Sequence, residues 1–561
     1  MSTGGKEGDL VLADVLRLPG QIGFDILEDD SGAANHGFLR SKGDMGSQQG
    51  INDVVLPQVY SYLVKRDLEG NIVGDVAESW EVSEDELTWT FHLRKGVKFH
   101  SGKELTAEDV KATYDRLLNK EDPVRYTQTM GFIDHCDIVD DYTINLVTLE
   151  PAGPMLASLT LRANTLLNKD YIEKYGKELG KEVESVDGTG PFKLVEWNKD
   201  EDMHLVRFDD YFNGPAATEN ICIQIVPEAA SRAIAMESHQ VDAAINISAE
   251  DVLRFKEDDT LNVFSIPGPG CHLFQFNCSN PIIKDTKVRQ AISYALDRTA
   301  LVEALWGAMG EKPRDSVAPP AAFGYINLGV IQQDQAKAKE LLAEAGYPDG
   351  FEMNLMCTDV YNKGVQAGEI AAAQLAEVGI KCNLVVVDRA TFSAAWNGLT
   401  PEEFPDWGMF LMGAGYITLD GDEGLKRRFA TEEDGKNSNN YGFYSNAEVD
   451  ELLNGAAKTT DQVWREKAYQ RAAEILYLED PVGCYLNSRN ETVILSAQVE
   501  DFNMTPVGIY DWPSIKVRAN YWKNNLYERR LPSGSLLSLC SVSRPPKAGK
   551  FEPLFEPLNR Q

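Results

Sequence analysis

Nothing in the 561 residues reaches about eighteen consecutive apolar positions, the least that would cross a bilayer as one helix. Positive charge is scarce. Lys and Arg number 54 against 87 Asp and Glu, a net charge of -33. A surface this acidic repels phosphate backbones, which argues against nucleic acid as a partner. The chain has no CxxC and no dense cysteine framework. Its 8 cysteines are scattered, most in strand-like runs such as ICIQIV at Cys222 and IKCNLVVV at Cys382, where buried packing is their expected role. Also missing are GxSxG, HExxH and a nucleotide-binding glycine loop, so a hydrolase has no motif to rest on. What is present is an ordinary apolar share of 43% in a chain too long for one core, which predicts two or three domains.

The most informative stretch runs from Ala77 to Val110. Leu87, Trp89, Phe91 and Leu93 alternate with polar residues, the period of a half-buried strand. Lys95-Gly96 predicts a turn, with Val97 and Phe99 returning on a second strand. Thr106 to Asp109 then caps a helix whose Val110, Tyr114, Leu117 and Leu118 share a face. Further strands are expected at Leu10–Ala13, Tyr142–Thr148, Phe192–Trp197, Met203–Arg207 and Val241–Ile245, and a helix at Ala229–Glu237. Residues 29–52 read as a loop.

From Pro281 the texture changes to alternating helix and strand. Val288, Ala291, Ile292 and Ala295 mark a helix face, and Asp334 caps a helix ending at Gly346. Strand Phe351–Cys357, helix Val365–Val378 and strand Ile380–Val387 form a βαβ unit, which demands a parallel pair. Trp407–Met412 is expected in the same sheet. Ser445-Asn446-Ala447-Glu448 reads as a capping box, Asp461–Leu478 as a long helix and Val493–Ser496 as a last strand. Six basic residues against three acidic ones leave Leu526–Gln561 at +3, and this Pro- and Ser-rich tail has no period.

Eight pieces stand in one order: AESW with FHLRKGVKFHSGKELTAEDV, GTGPFKLVEW, DDYFNG, VRQAISYALDR, VAPP, AGYPDGF, QLAEVGIK and YSNAEVDELL. Together they closely resemble the peptide/nickel family (family 5) of extracytoplasmic solute-binding proteins that serve ABC importers. The resemblance covers roughly Val54 to Ser514. It implies an α/β type II periplasmic-binding fold: two lobes on a hinge, plus a small α+β domain. Domain I would combine residues 1–53, 186–275 and 485–525. A small second domain would hold 54–185 and domain III 276–484, with 526–561 a disordered or non-native tail. The implied function is capture of a small peptide-like or related solute and its delivery to the permease, without covalent chemistry or a cofactor. The protein would be a monomer, touching the membrane only through a lipid anchor. Ser2-Thr3-Gly4-Gly5-Lys6 resembles the start of such a mature lipoprotein, with Met1 where a lipidated cysteine stood.

In peptide-binding relatives an Arg after the first βαβ strand holds the ligand carboxylate, and an Asp after the following sheet strand holds its amino group. Here those positions fall at Thr358-Asp359 and near Ile417. An Asp in place of the Arg would attract a cation, which argues against a standard dipeptide. Gly413–Phe429 instead resembles the glutathione- and opine-binding branch, through Thr418, Asp420, Asp422, Leu425 and Lys426. The expected cleft residues are Asp359, Tyr361, Tyr416, Ile417 and Thr418, then Arg389 and Trp396. Bland alternatives stay open: Asp359 as a cap of the helix near Gly364, Tyr416 as core, and Asp420 and Asp422 as loop caps. His272 lies between Cys271 and Cys278 on a predicted strand whose two cysteines face opposite ways, so no metal centre is expected. A metal chelate stays among the candidate cargoes. Rival readings are a binding protein that acts as sensor or chaperone, or a hydrolase. Neighbouring permease and ATPase genes, or turnover of peptides, would discriminate.

Overall fold

The structure is a computed structural model and describes residues 10–14, 51–119, 130–199, 201–226, 228–358, 361, 363–388, 391–392, 407–431 and 439–518. Two long antiparallel strands organise it. Leu261–Phe276 pairs along its length with Gly483–Ser496. Their amino- and carboxyl-terminal parts serve different neighbours. Leu261–Pro267 lies against Asn490–Ser496, which in turn carries the strand Ala243–Ile245. Cys271–Phe276 lies against Trp407–Ala414 on its other side. Between these halves the register slips: Pro267 faces Asn490 and Cys271 faces Ser488, so residues 268–270 oppose Arg489 alone. A bulge of this kind bends the pair, and here it forms the crossover between two lobes.

In one lobe Leu10–Asp14 runs parallel to Asn220–Ile225 and Ala243–Ile245, followed by the antiparallel strands Asp202–Arg207 and Phe192–Asn198. In the other, Phe351–Thr358 runs parallel to Ile380–Val387 and Trp407–Ala414, joined by the helix Gly364–Ala376. Each lobe has its own apolar core, and Cys484, Tyr485 and Leu486 serve one while Val493 and Leu495 serve the other. A four-stranded antiparallel sheet, in the order 77–82, 88–93, 143–148, 133–140, packs into the core of the first lobe. This is the type II two-lobe fold with its extra small unit.

The expected strand alternation holds at Thr88–Leu93, with Trp89, Phe91 and Leu93 buried. Val97 and Phe99 do not return as a strand. Both are wholly buried, the chain doubles back through Phe99 N–H to Lys103 O at 2.8 Å, and Thr88–Leu93 pairs instead with 77–82 and 143–148. The helix Ala107–Leu117 is capped as expected, the Thr106 N–H donating to Asp109 Oδ2 at 3.0 Å. Helix Ala447–Ala457 is capped by Asn446 rather than Ser445. The Asn446 amide oxygen takes the N–H groups of Glu448 and Val449, while Ser445 Oγ accepts from Thr431. The loop expected over 29–52 yields at Ile51 to the helix Ile51–Val59, and 29–50 lie outside the described residues. The strand expected at Val493–Ser496 is fourteen residues long, Gly483–Ser496, because SRNE in its middle spans the crossover, and it is not the last, since Val499–Glu500 pairs with Lys516–Val517 after it. Cys278 lies past the end of its strand. The tail 526–561 lies outside the described residues.

Candidate functional site

Open α/β sheets present ligand sites at the carboxyl ends of their parallel strands, where strand order changes. In the second lobe those ends are Thr358, Val387 and Ala414, and Ala414 sits in register with Cys271 beside the crossover. In the first lobe the ends are Asp14, Ile225 and Ile245. Buried Arg232 fixes the loops after the last two, donating to Val226 O at 3.0 Å and to Asn246 O.

Tyr361, after strand Phe351–Thr358, is buried. It stands edge-on to His272 at 5.6 Å and to Phe392 at 5.7 Å. The His272 ring also stacks on Trp306 at 4.9 Å. Asn487 Oδ1 accepts the His272 N–H at 2.8 Å, and Asn487 Nδ2 donates to Glu311. Burial, aided by Arg489, pushes the His272 imidazole down to about 3, so the ring is neutral at physiological pH. Histidine here is an aromatic wall, and among the described residues no group of three or more His, Cys, Asp or Glu could hold a metal.

Tyr416, Ile417 and Thr418 follow strand Trp407–Ala414 as expected. Tyr416 is buried with its ring against Gly424, and its hydroxyl has no hydrogen-bond partner among the described residues. Ile417 is half-buried and donates its N–H to Glu423 Oε2 at 3.0 Å. The Thr418 carbonyl accepts from Arg66, on the short strand Val64–Arg66. Asp420 is absorbed structurally: Arg465 Nη2 meets its two oxygens at 2.9 and 2.8 Å and Tyr469 donates to it at 3.0 Å. Asp422 pairs with Lys426 at 3.4 Å inside a π-helical turn, Asp422–Lys426. Asp359, Arg389 and Trp396 lie outside the described residues. The helix Gly364–Ala376 has Lys363, at φ 61°, as its N-cap residue. Sequence reading missed Glu423, Lys363 and Arg489. Only the polar interruption SRNE inside an apolar strand hinted at the last.

The lobes touch. Lys363 Nζ lies 3.3 Å from Glu250 Oε1, at the head of the first-lobe helix Ala249–Phe255. Lys458 pairs with Glu150 at 2.8 Å, and the Thr460 N–H donates to Glu86 at 3.0 Å. Exposed pairs contribute little. Glu250→Ala should therefore change solute affinity less than about fivefold, as read by calorimetry.

Burial pushes Glu423 up to about 7 against the pull of Arg428 and Arg427, and Glu311 likewise to about 7. For these acids the folded protein holds the proton more tightly than the unfolded chain, so stability falls as pH rises from about 4.5 to 7. His272, and His100 lowered by burial to about 4, act in the opposite direction: stability falls as pH drops below about 6.5. Glu423→Gln keeps an acceptor for the Ile417 N–H and removes one buried acid. It should add on the order of 1–3 kcal/mol at pH 8 and little at pH 4, measured by urea unfolding.

Residues 71–436 match the family described as bacterial extracellular solute-binding proteins, family 5 middle. The chain belongs to this family. It is 29% identical over 432 residues to the glutathione-binding protein GsiB of Salmonella choleraesuis (strain SC-B67), covering 77% of this chain and 83% of the relative. It is 30% identical over 455 residues to heme-binding protein A of Haemophilus influenzae, covering 76% and 80%. Its fold matches the ABC transporter-associated periplasmic binding protein DppA from Helicobacter pylori in complex with peptide STSA, with TM-score 0.71, 24% identity and coverage of 91% and 98%. The family 5 protein described here is an extracytoplasmic solute-binding receptor of an ABC importer, and these relatives are binding proteins. No helix among the described residues is long and apolar enough to cross a membrane.

Proposed function

We propose that this family 5 receptor captures a small peptide-like solute in the cleft between its lobes and releases it chemically unaltered to the permease. The observation that carries the reading is that parallel strands of both lobes point their carboxyl ends at one bulged strand pair. Tyr361, Tyr416, Ile417 and Thr418 line the cleft in this proposal, joined by Asp359, Arg389 and Trp396. Its domains divide at residues 54, 186, 276 and 485. The protein works as a monomer tethered by lipid near its N-terminal side.

A solute shifts the hinge only if it binds the closed form better than the open one. Useful capture needs micromolar affinity, roughly -8 kcal/mol. The test is native mass spectrometry after incubation with pools of di- and tripeptides, glutathione, opines, heme and metal chelates. A retained peptide-like solute of unchanged mass supports the reading. Retention of heme or a chelate alone, or a mass change in the solute, overturns it.

A further inference from the structure

Two of the five buried arginines among the described residues hold a carboxylate. Arg289 pairs with Asp480 and Arg465 with Asp420. Arg314 does not. It is fully buried, yet no carboxylate among the described residues forms an ion pair with it. Its Nη1 reaches Gly270 O at 3.5 Å and Ser488 Oγ at 3.4 Å, its Nη2 reaches Val317 O at 3.4 Å, and its Nε has no partner among the described residues. These are long bonds to neutral oxygens. A buried guanidinium so weakly served lacks the anion that would offset its desolvation.

Its place is specific. The Arg314 N–H donates to Leu486 O at 2.9 Å, and the preceding Lys312–Pro313 pairs with Ser488 and Asn487. Arg314 is thus fastened to the return strand where the lobes cross over. Gly270 faces the same point, with the Arg489 guanidinium 3.7 Å from where a Cβ would stand. The Tyr416 hydroxyl, also without a hydrogen-bond partner among the described residues, lies within electrostatic reach of Tyr485, Arg314, Arg428 and Cys271.

Resting on the capture reading above, we infer that Arg314 is the anchor for a carboxylate of the captured solute, with the Tyr416 hydroxyl and Arg489 completing the pocket. A planar guanidinium suits this task, since it meets both oxygens of a carboxylate at once. The anchor sits on the hinge wall rather than on the loop after Phe351–Thr358. An anion arriving there supplies the missing charge where the lobes bend, which couples recognition to closure.

Two pools of di- and tripeptides, one with free and one with amidated C-termini, test this by native mass spectrometry and calorimetry. Wild type should retain members of the free pool only. Arg314→Gln should lose about a hundredfold in affinity for them, Arg314→Lys less, and Tyr416→Phe about tenfold. Arg298→Gln is the control for a structural role. Arg298 shares the burial, the long bonds to neutral oxygens (Tyr477 Oη and Ser293 O, both at 3.4 Å) and the unpartnered Nε, but neither of its partners lies on the crossover, and its loss should leave affinity within threefold. Equal retention of both pools, or Arg314→Gln within threefold of wild type, overturns the inference. If neither pool is retained, the peptide-like reading falls and sodium acetate decides the inference. The unfolding midpoint should then rise in acetate over equal sodium chloride for wild type and not for Arg314→Lys or Tyr416→Phe. Equal midpoints in the two salts overturn it.

Discussion

Asp420→Ala should cost the protein about 3–5 kcal/mol of stability and abolish solute capture, measured by urea unfolding and calorimetry on the same preparation. Asp420 and Arg465 are both nearly inaccessible, and Arg465 Nη2 meets both carboxylate oxygens. Removing the acid leaves a buried guanidinium whose remaining hydrogen bonds among the described residues go to Tyr469, Gln462 and the Ala456 carbonyl. That uncompensated charge, more than the lost attraction, sets the size of the effect. The loop suffers with it. Asp420 Oδ1 also takes the Asp422 N–H at 2.9 Å, starting the turn that carries Glu423. Arg66, itself lowered by burial to about 10, reaches the neighbouring Thr418 carbonyl and feels the charge of Asp420. A double variant, Asp420→Leu with Arg465→Met, should recover most of the stability, because an apolar pair of similar volume carries no desolvation penalty. It should not recover capture, since the Asp422 N–H has lost its acceptor.

How far the sequence foretold this depends on the range over which each feature is decided. Helix Gln335–Glu344 was legible because its cap, the Asp334 side chain on Lys337 N–H, lies within one turn. The βαβ unit was legible because three runs of the right length admit one arrangement. The acids of TLDGDE were visible as a pattern, but their roles were not. Asp420 is claimed by an arginine 45 residues away, and Glu423 by a backbone N–H that only the folded turn brings near. Arg314 carries no local signal, since an isolated Arg after Pro looks like any surface residue until its neighbours close over it. The same limit hid the crossover strand. Asn487 to Glu491 are polar because they line a junction between lobes, and polarity read along the chain looks like a loop.

Gly424→Ala should destabilise the protein by about 1–3 kcal/mol and weaken capture about a hundredfold, though it adds one methyl group. An added Cβ would stand 1.9 Å from Cε1 and 2.1 Å from Cδ1 of Tyr416, far inside any tolerated contact. The ring cannot swing away, being 2% exposed among packed neighbours. The backbone must therefore shift, and it does so inside the π-helical turn Asp422–Lys426, next to the carboxylate that holds the Ile417 N–H. Gly102→Ala gives the comparison. That glycine has φ 93° and nothing within 4 Å of an added Cβ, so it reports backbone strain alone, about 1 kcal/mol with affinity unchanged. Tyr416→Ala in the Gly424→Ala background removes the collision. The pair should be less destabilised than the sum of its parts, a coupling of at least about 1 kcal/mol in a double-mutant cycle. Additive losses would mean that ring and glycine do not meet, and the loop would then owe its shape to Asp420 alone.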